Sequence, residues 1–384
     1  MQLRDGSPQD AGCAPDRVQH VRELCAQWTT DNLTPALIAL VARRGVIVLH
    51  EAWGTQHPAP DTTPLPRDAV FGIASTSKIF TATAAMRLVE DGVIGLDRPV
   101  QHYVPDFQGH GKERVMVRHL LTHTSGLYDE DVRALWNVLE DHITLPPCPD
   151  TQHPEMHDNV FYVCRTPLRH PPGETMQYSN HGYQLLGEVV RQASGQTFND
   201  LTRHQLFEPL GMRDTYFSSP EAHRARAVHH FPQRGWDPLS VPEPSGAAHT
   251  TAMDLAIFGQ MLLNGGTYGE TRVLSPATVA AMTRIQTTGI PYPLPDGTHG
   301  PAWGLGFSFF QASTIPRRAA LWSPQAYCHA GASGTMWWVD PVYELVGVFL
   351  GVKPDYHSVV HPDDLFINAV TACVVDEPQS VMPV

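Results

Sequence analysis

The stretch Phe71-Gly72-Ile73-Ala74-Ser75-Thr76-Ser77-Lys78 runs directly into an apolar, alanine-rich helical pattern over 79–91. Ser75 and Lys78 stand three residues apart, so a helix opening at Ser75 sets a hydroxyl and an amine on one face within mutual reach. That pair is a candidate nucleophile and base. Taken alone, the same residues also read as a Ser/Thr helix cap followed by a solvated lysine. The surrounding sequence has to decide between the two.

Upstream, 16–29 carries Val18, Val21, Leu24 and Cys25 at helical spacing. Two apolar runs follow, 36–42 and 46–49, parted by Arg43-Arg44-Gly45. They predict a β-hairpin whose strands are buried on both faces. Downstream, helical patterns are expected at 117–122, 131–141, 183–192, 198–207, 253–263 and 276–284. Strand chemistry returns at 304–310, 335–339 and 345–352, before a last helical pattern at 362–374. The polar, histidine- and proline-rich stretch 128–170 reads as a long irregular insertion, of the kind that forms lids and pocket walls. Strands at both chain ends around a helical middle predict an α/β (α+β) architecture. It is an antiparallel sheet flanked by helices, built from 1–100 with 270–384, and carrying a mostly helical domain at 101–269.

Composition narrows the function classes. A net charge of -13 argues against nucleic acid or an anionic membrane surface as partner. Residues 1–6 lack the apolar run of an export signal and no later run approaches the length of a membrane span, so a soluble cytoplasmic protein is expected. Cys13, Cys25, Cys148, Cys164, Cys328 and Cys373 lack zinc-type spacing and are expected to be reduced thiols. Of 26 basic residues only Lys78, Lys112 and Lys353 are lysines. Coding bias toward arginine explains most of that, yet a guanidinium cannot act as a base where a buried amine can.

Two more motifs weigh on Ser75. Tyr178-Ser179-Asn180 follows a Pro-Pro-Gly turn, and His329-Ala330-Gly331-Ala332-Ser333-Gly334 leads into an apolar strand. Singly, each has a structural reading: a packed ring with a capping amide, and a histidine beside glycines that mark a bulge. Together and in this order, the three motifs resemble the serine β-lactamase and penicillin-binding-protein superfamily. The Tyr-x-Asn form is similar to the class C β-lactamase branch, with its family VIII carboxylesterases and D-aminopeptidases. The likeness extends over 71–103, 115–127, 171–217, 251–266 and 327–351.

The resemblance implies a β-lactamase/transpeptidase-like fold and a serine hydrolase that forms an acyl-enzyme at Ser75. Lys78 and Tyr178 would relay the proton, with either one as the base. The amides of Ser75 and of Ala332, which follows Gly331, would form the oxyanion hole. Asn180 would bind the acyl side chain or help hold Lys78. No metal or organic cofactor is implied, and the partner is a small ester or amide. His329 stands where a β-lactamase has lysine, so a fixed positive charge gives way to a group mostly neutral at pH 7. That favours neutral esters or amides over anionic β-lactams: a carboxylesterase first, with a D-amino-acid peptidase, an amidase or a weak β-lactamase as alternatives.

Three further readings stand beside this one. Asp129, Glu130 and Asp131 could recognise a substrate ammonium at a pocket mouth, against the plainer reading of an acidic helix start. His153 and His157, four apart, suggest a metallohydrolase, but the proline content argues against a helical ligand pair. A binding homologue that has lost its chemistry has no reason to retain Ser75, Lys78, Tyr178 and His329 together. Substrate identity is expected to be set by the insertions at 128–170 and 286–325.

Overall fold

A computed structural model describes residues 1–148, 154–217, 221–228, 243–310, 319–354 and 362–376. One eight-stranded sheet draws on both chain ends. Its spatial order is Arg4–Asp5, Val46–Gly54, Ala36–Arg43, Leu345–Gly351, Thr335–Asp340, Tyr327–Gly331, Ser308–Phe309 and Ala302–Trp303. Every pair is antiparallel except the first, in which Arg4 and Asp5 run parallel to Val46 and Ile47. The sheet is therefore mixed at one edge, where the sequence predicts it purely antiparallel; a two-residue edge strand leaves no periodicity to detect.

The central strands explain the continuous apolar runs. In Ala36–Arg43, residues Leu37, Ala39 and Val41 join one apolar cluster, whereas Ile38, Leu40 and Ala42 join another. Side chains alternate across a strand, and here both faces are covered. The Pro15–Thr30 and Asp363–Thr371 helices close the first face, where Phe366 meets Trp338 and Phe349. On the other face, the Lys78–Glu90 and Ala252–Leu263 helices belong to a cluster that continues into the helices of the middle segment.

The Lys78–Glu90 helix buries Lys78 through Met86 without a break. A helix apolar on all sides belongs in an interior, and this one lies at the centre of its cluster. Glu90 is the last residue of that helix, and Gly92 takes a left-handed backbone beyond it. The insertion 128–170 is more regular than its composition suggests. It contains the Asp129–Leu139 and Pro154–Arg165 helices, where the sequence predicts one helix and an irregular remainder. Proline at the first helical position starts a helix rather than breaking it. His157 therefore lies on a helix, with its Nε2 3.2 Å from the Pro146 carbonyl, while His153 falls outside the described residues.

Candidate active site

Ser75 occupies a 3-10 turn, Ala74–Ser77, that feeds the Lys78–Glu90 helix, so the α-helix proper begins at Lys78 rather than at Ser75. The turn is strained and tied down. Ala74 has φ of 46°, the Ile73 amide donates to the Ala248 carbonyl at 3.0 Å, and the Ala248 amide donates to the Ser77 hydroxyl at 2.9 Å. A non-glycine residue in the left-handed region costs on the order of 1–3 kcal/mol and persists where surrounding contacts enforce it. Here it leaves Ser75 half-exposed beside three buried neighbours, Thr76, Ser77 and Lys78.

The Lys78 side chain is fully buried. Its Nζ donates to Asn180 Oδ1 at 2.7 Å and to the Ser245 carbonyl at 2.7 Å, and stands 3.4 Å from Ser75 Oγ. Burial pushes the ammonium pKa down to about 7, against the opposing pull of Glu243 and Asp129. A neutral amine has two N–H groups and one lone pair. Two carbonyl-type oxygens occupy the donors, which leaves the lone pair for the third neighbour, the Ser75 hydroxyl.

Tyr178 closes the other side. Lys78 Nζ lies 4.8 Å from the centre of its ring. Among the described residues its buried hydroxyl has no hydrogen-bond partner of good geometry, although the nearby Ser75 hydroxyl eases its titration. Burial pushes the phenol far above its ordinary range, so Tyr178 is protonated at rest. Asn180, the first residue of the Asn180–Ser194 helix, presents its amide oxygen to Lys78 and donates from Nδ2 to Asp129 Oδ2 at 2.9 Å.

His329 sits in the Tyr327–Gly331 strand, its ring 6.5 Å from that of Tyr178. Its Nδ1 is 3.0 Å from the Ala330 carbonyl, which fixes the proton on Nδ1 and leaves Nε2 as an acceptor. Burial, reinforced by Lys78, lowers its pKa to about 3, so the imidazole is neutral. Gly331 is packed so closely that a Cβ would collide with the Thr335 hydroxyl and the Ile73 carbonyl. Ile73 precedes the nucleophile turn by one residue, so this glycine brings the strand end against the turn. Ala332 follows it, exposed at the head of the hairpin.

The structure thus brings Ser75, Lys78, Tyr178, Asn180, His329 and Gly331 into one neighbourhood. It separates the acidic trio. Asp129 is buried and bonded to Ser179, Asn180 and His181, while Glu130 and Asp131 pair with Arg169 at 3.0 and 2.6 Å. No open ring of three carboxylates forms, because two of them face a cation and the third points into the protein.

Two residues that sequence reasoning leaves without a role complete the setting. His123 accepts the Ser179 amide on Nδ1 at 3.1 Å, takes the Gln177 amide on its carbonyl at 2.8 Å, and stacks on Tyr178 with ring centres 4.4 Å apart. It clamps the tyrosine from both flanks, and it too is a left-handed non-glycine residue, with φ of 57°. Trp303 packs edge-on against His123 at 4.5 Å and against His329 at 5.5 Å. Only membership of the 115–127 block pointed to His123, and nothing in the local sequence around Trp303 distinguishes it from a core tryptophan. Among the described residues, no group of three or more His, Cys, Asp or Glu is arranged to hold a metal ion.

A hydroxyl on a strained turn, a buried amine of near-neutral pKa and a buried phenol together define a serine hydrolase of the acyl-enzyme type. The chain belongs to the β-lactamase family, whose description matches residues 21–371. A Salmonella agona protein provisionally named D-alanyl-D-alanine carboxypeptidase is 26% identical, over 93% of this chain and 87% of that one. The fold is shared with a penicillin-binding protein homologue from Caulobacter crescentus, with a TM-score of 0.74, 22% identity, and 94% and 99% of the two chains covered. A family VIII carboxylesterase superposes equally, with a TM-score of 0.73, 22% identity, and coverage of 94% and 98%. Among the described residues, no helix is long and apolar enough to cross a membrane.

Proposed function

We propose that the protein hydrolyses small, uncharged esters or amides, esters foremost, through an acyl-enzyme on Ser75. Neutral Lys78 takes the Ser75 proton as the oxygen attacks the acyl carbon. Tyr178, protonated at rest, passes a proton to the departing alkoxide or amine and regains one through Lys78. Water then cleaves the acyl-enzyme by the same relay run in reverse. The amides of Ser75 and Ala332 stabilise the developing oxyanion, helped by the start of the nucleophile helix. The observation that carries this reading is the Lys78 geometry: two fixed acceptors for its hydrogens and a third neighbour that is the nucleophile.

The preference for neutral substrates rests on His329. A buried imidazole that holds its proton on Nδ1 offers an acceptor where an anionic substrate needs a cation. D-alanyl-D-alanine carboxypeptidase activity, suggested by the name of the Salmonella relative, requires binding of a terminal carboxylate, and His329 does not supply that charge. The walls of the acyl and leaving-group pockets are assigned to 128–170 and 286–325, of which 149–153 and 311–318 lie outside the described residues. With a mostly helical domain at 101–269 and a sheet domain of 1–100 with 270–384, one of these insertions belongs to each domain. The six cysteines as thiols rather than disulfides support a cytoplasmic setting.

The test is a rate panel of p-nitrophenyl esters, D- and L-amino-acid p-nitroanilides, a D-alanyl-D-alanine peptide and nitrocefin, with wild type and Ser75→Ala. The butyrate ester is expected to be turned over fastest, and Ser75→Ala to lose at least about 1000-fold in kcat. Faster turnover of nitrocefin or the dipeptide would refute the substrate preference. Unchanged ester hydrolysis by Ser75→Ala would refute the mechanism.

A further inference from the structure

Asp129 is the most heavily bonded carboxylate near the reacting groups, and the mechanism so far gives it nothing to do. It is 8% exposed. Oδ1 accepts from Ser179 Oγ at 2.8 Å, from the His181 amide at 3.2 Å and from His181 Nδ1 at 3.0 Å. Oδ2 accepts from the Asn180 amide at 3.0 Å and from Asn180 Nδ2 at 2.9 Å. Burial alone would raise its pKa, but the hydrogen bonds from His181, Asn180 and Ser179 outweigh it and keep the group ionised throughout the working range.

Part of this is a helix cap. The carboxylate gathers the first amides of the Asn180–Ser194 helix, as anions at helix starts do. A cap, however, needs no bond to the Asn180 side chain. A carboxamide has an accepting end and a donating end, and Asn180 lies between two groups of opposite demand. An ionised carboxylate only accepts, so it takes the NH2 end, and the oxygen is turned toward the donors of Lys78.

We propose that Asp129 is a positioning residue for the hydrolysis: its buried carboxylate fixes the Asn180 amide so that the oxygen, and not the nitrogen, faces Lys78. With the amide reversed, an NH2 group would confront the amine, Lys78 would lose one of its two fixed acceptors, and its lone pair would no longer be committed to Ser75. Asp129 also adds negative charge behind the amine. The charged and titratable groups around Lys78 are Glu243 and Asp129, which favour the ammonium, His123 and His329, both neutral, and the phenols of Tyr178 and Tyr183. Glu243 is the stronger of the two anions in this respect. The proposal rests on the reading of Ser75, Lys78 and Asn180 as the reacting machinery.

The experiment is a double-mutant cycle of Asp129→Asn and Asn180→Ala, with kcat and KM for p-nitrophenyl butyrate measured from pH 5 to 9. Asp129→Asn is expected to lose between about 10-fold and 100-fold in kcat, with KM within about threefold, because misplacement rather than binding is the defect. The acid limb of its kcat/KM profile moves to lower pH, since an anion favouring the ammonium has gone. In the Asn180→Ala background the same change costs less than about threefold, because there is no amide left to orient. Multiplicative losses, or a lowered Tm with kcat unchanged, would overturn the proposal and leave Asp129 a cap. If Asn180→Ala itself leaves kcat unchanged, the wider reading of the site fails instead. Should Asp129→Asn not fold, Asp129→Glu keeps the charge and pushes the carboxylate a methylene further toward Asn180. Its expected signature is a loss of about 10-fold or more in kcat with the acid limb in place, and an unchanged kcat would overturn the proposal equally.

Discussion

At the scale of single residues, Lys78 carries the sharpest consequences. Its side chain has no exposure, and two of its hydrogens are already assigned. Lys78→Arg preserves charge but removes the titratable amine and inserts a larger planar group, so it is expected to retain less than about a tenth of wild-type kcat, nearly as poor as Lys78→Ala. Steady-state rates on p-nitrophenyl butyrate decide this. The pH dependence has a definite sign. An amine whose pKa burial lowers to about 7 is half neutral at pH 7, so kcat/KM should rise through that region and level off above it. A fall of kcat/KM between pH 6 and 8 would mean that the ammonium, not the amine, is the working form and that Tyr178 is the base. Much of this was legible beforehand, because Ser75, Lys78, Tyr178, Asn180 and His329 each sit in a short motif. The clamp by His123 was not, since a left-handed backbone and a stacked ring leave no trace in local sequence.

At the scale of elements, the close approach between the Tyr327–Gly331 strand and the nucleophile turn sets the geometry of both. Gly331 permits that approach, and its missing Cβ leaves room for the Ile73 carbonyl and the Thr335 hydroxyl. Gly331→Ala should push the strand end away from the turn and lower kcat/KM at least about 100-fold, while the fold survives. Far-UV circular dichroism with an active-site titration separates those effects, and a fully active Gly331→Ala enzyme would show that the approach is not required. Sequence reasoning read the long elements well, because a helical pattern persists through 16–29 and unbroken apolar runs mark 36–42 and 46–49 as strands buried on both faces. It missed the Tyr327–Gly331 strand, whose five residues include a histidine and a glycine and so show no alternation to count. The Pro154–Arg165 helix was hidden for a different reason: its proline is a starting residue, whereas proline in a polar stretch reads in sequence as a mark of loop.

At the scale of the whole molecule, the joining of both chain ends in one sheet followed from the order of strand and helix patterns, while the parallel edge pair was too short to see. What ties the helical middle to that sheet is less evident from sequence, and Asp254 is one such tie. It lies in the first turn of the Ala252–Leu263 helix, which packs on the sheet through Trp337, whose Nε1 donates to the Leu255 carbonyl at 3.0 Å. Asp254 Oδ2 accepts from the Asp214 amide at 2.9 Å and from the Thr215 hydroxyl at 2.8 Å, both on the preceding segment. Burial raises its pKa to about 6, with Asp214 adding to the shift and the hydrogen bonds opposing it. A carboxyl held above its unfolded value of 3.8 contributes stability that is complete below that pH and is lost as pH rises through about 6. At pH 8 the folded protein therefore carries a buried carboxylate that costs up to about 3 kcal/mol relative to acid conditions. Asp254→Asn keeps an oxygen for the same two donors and cannot ionise. Its Tm, taken relative to wild type, should be higher at pH 8 than at pH 4 by a few degrees. Thermal melts of the two proteins at both pH values test this, and a Tm difference equal at both, or more unfavourable to the variant at pH 8, would show that the carboxylate is stabilised in its ionised form.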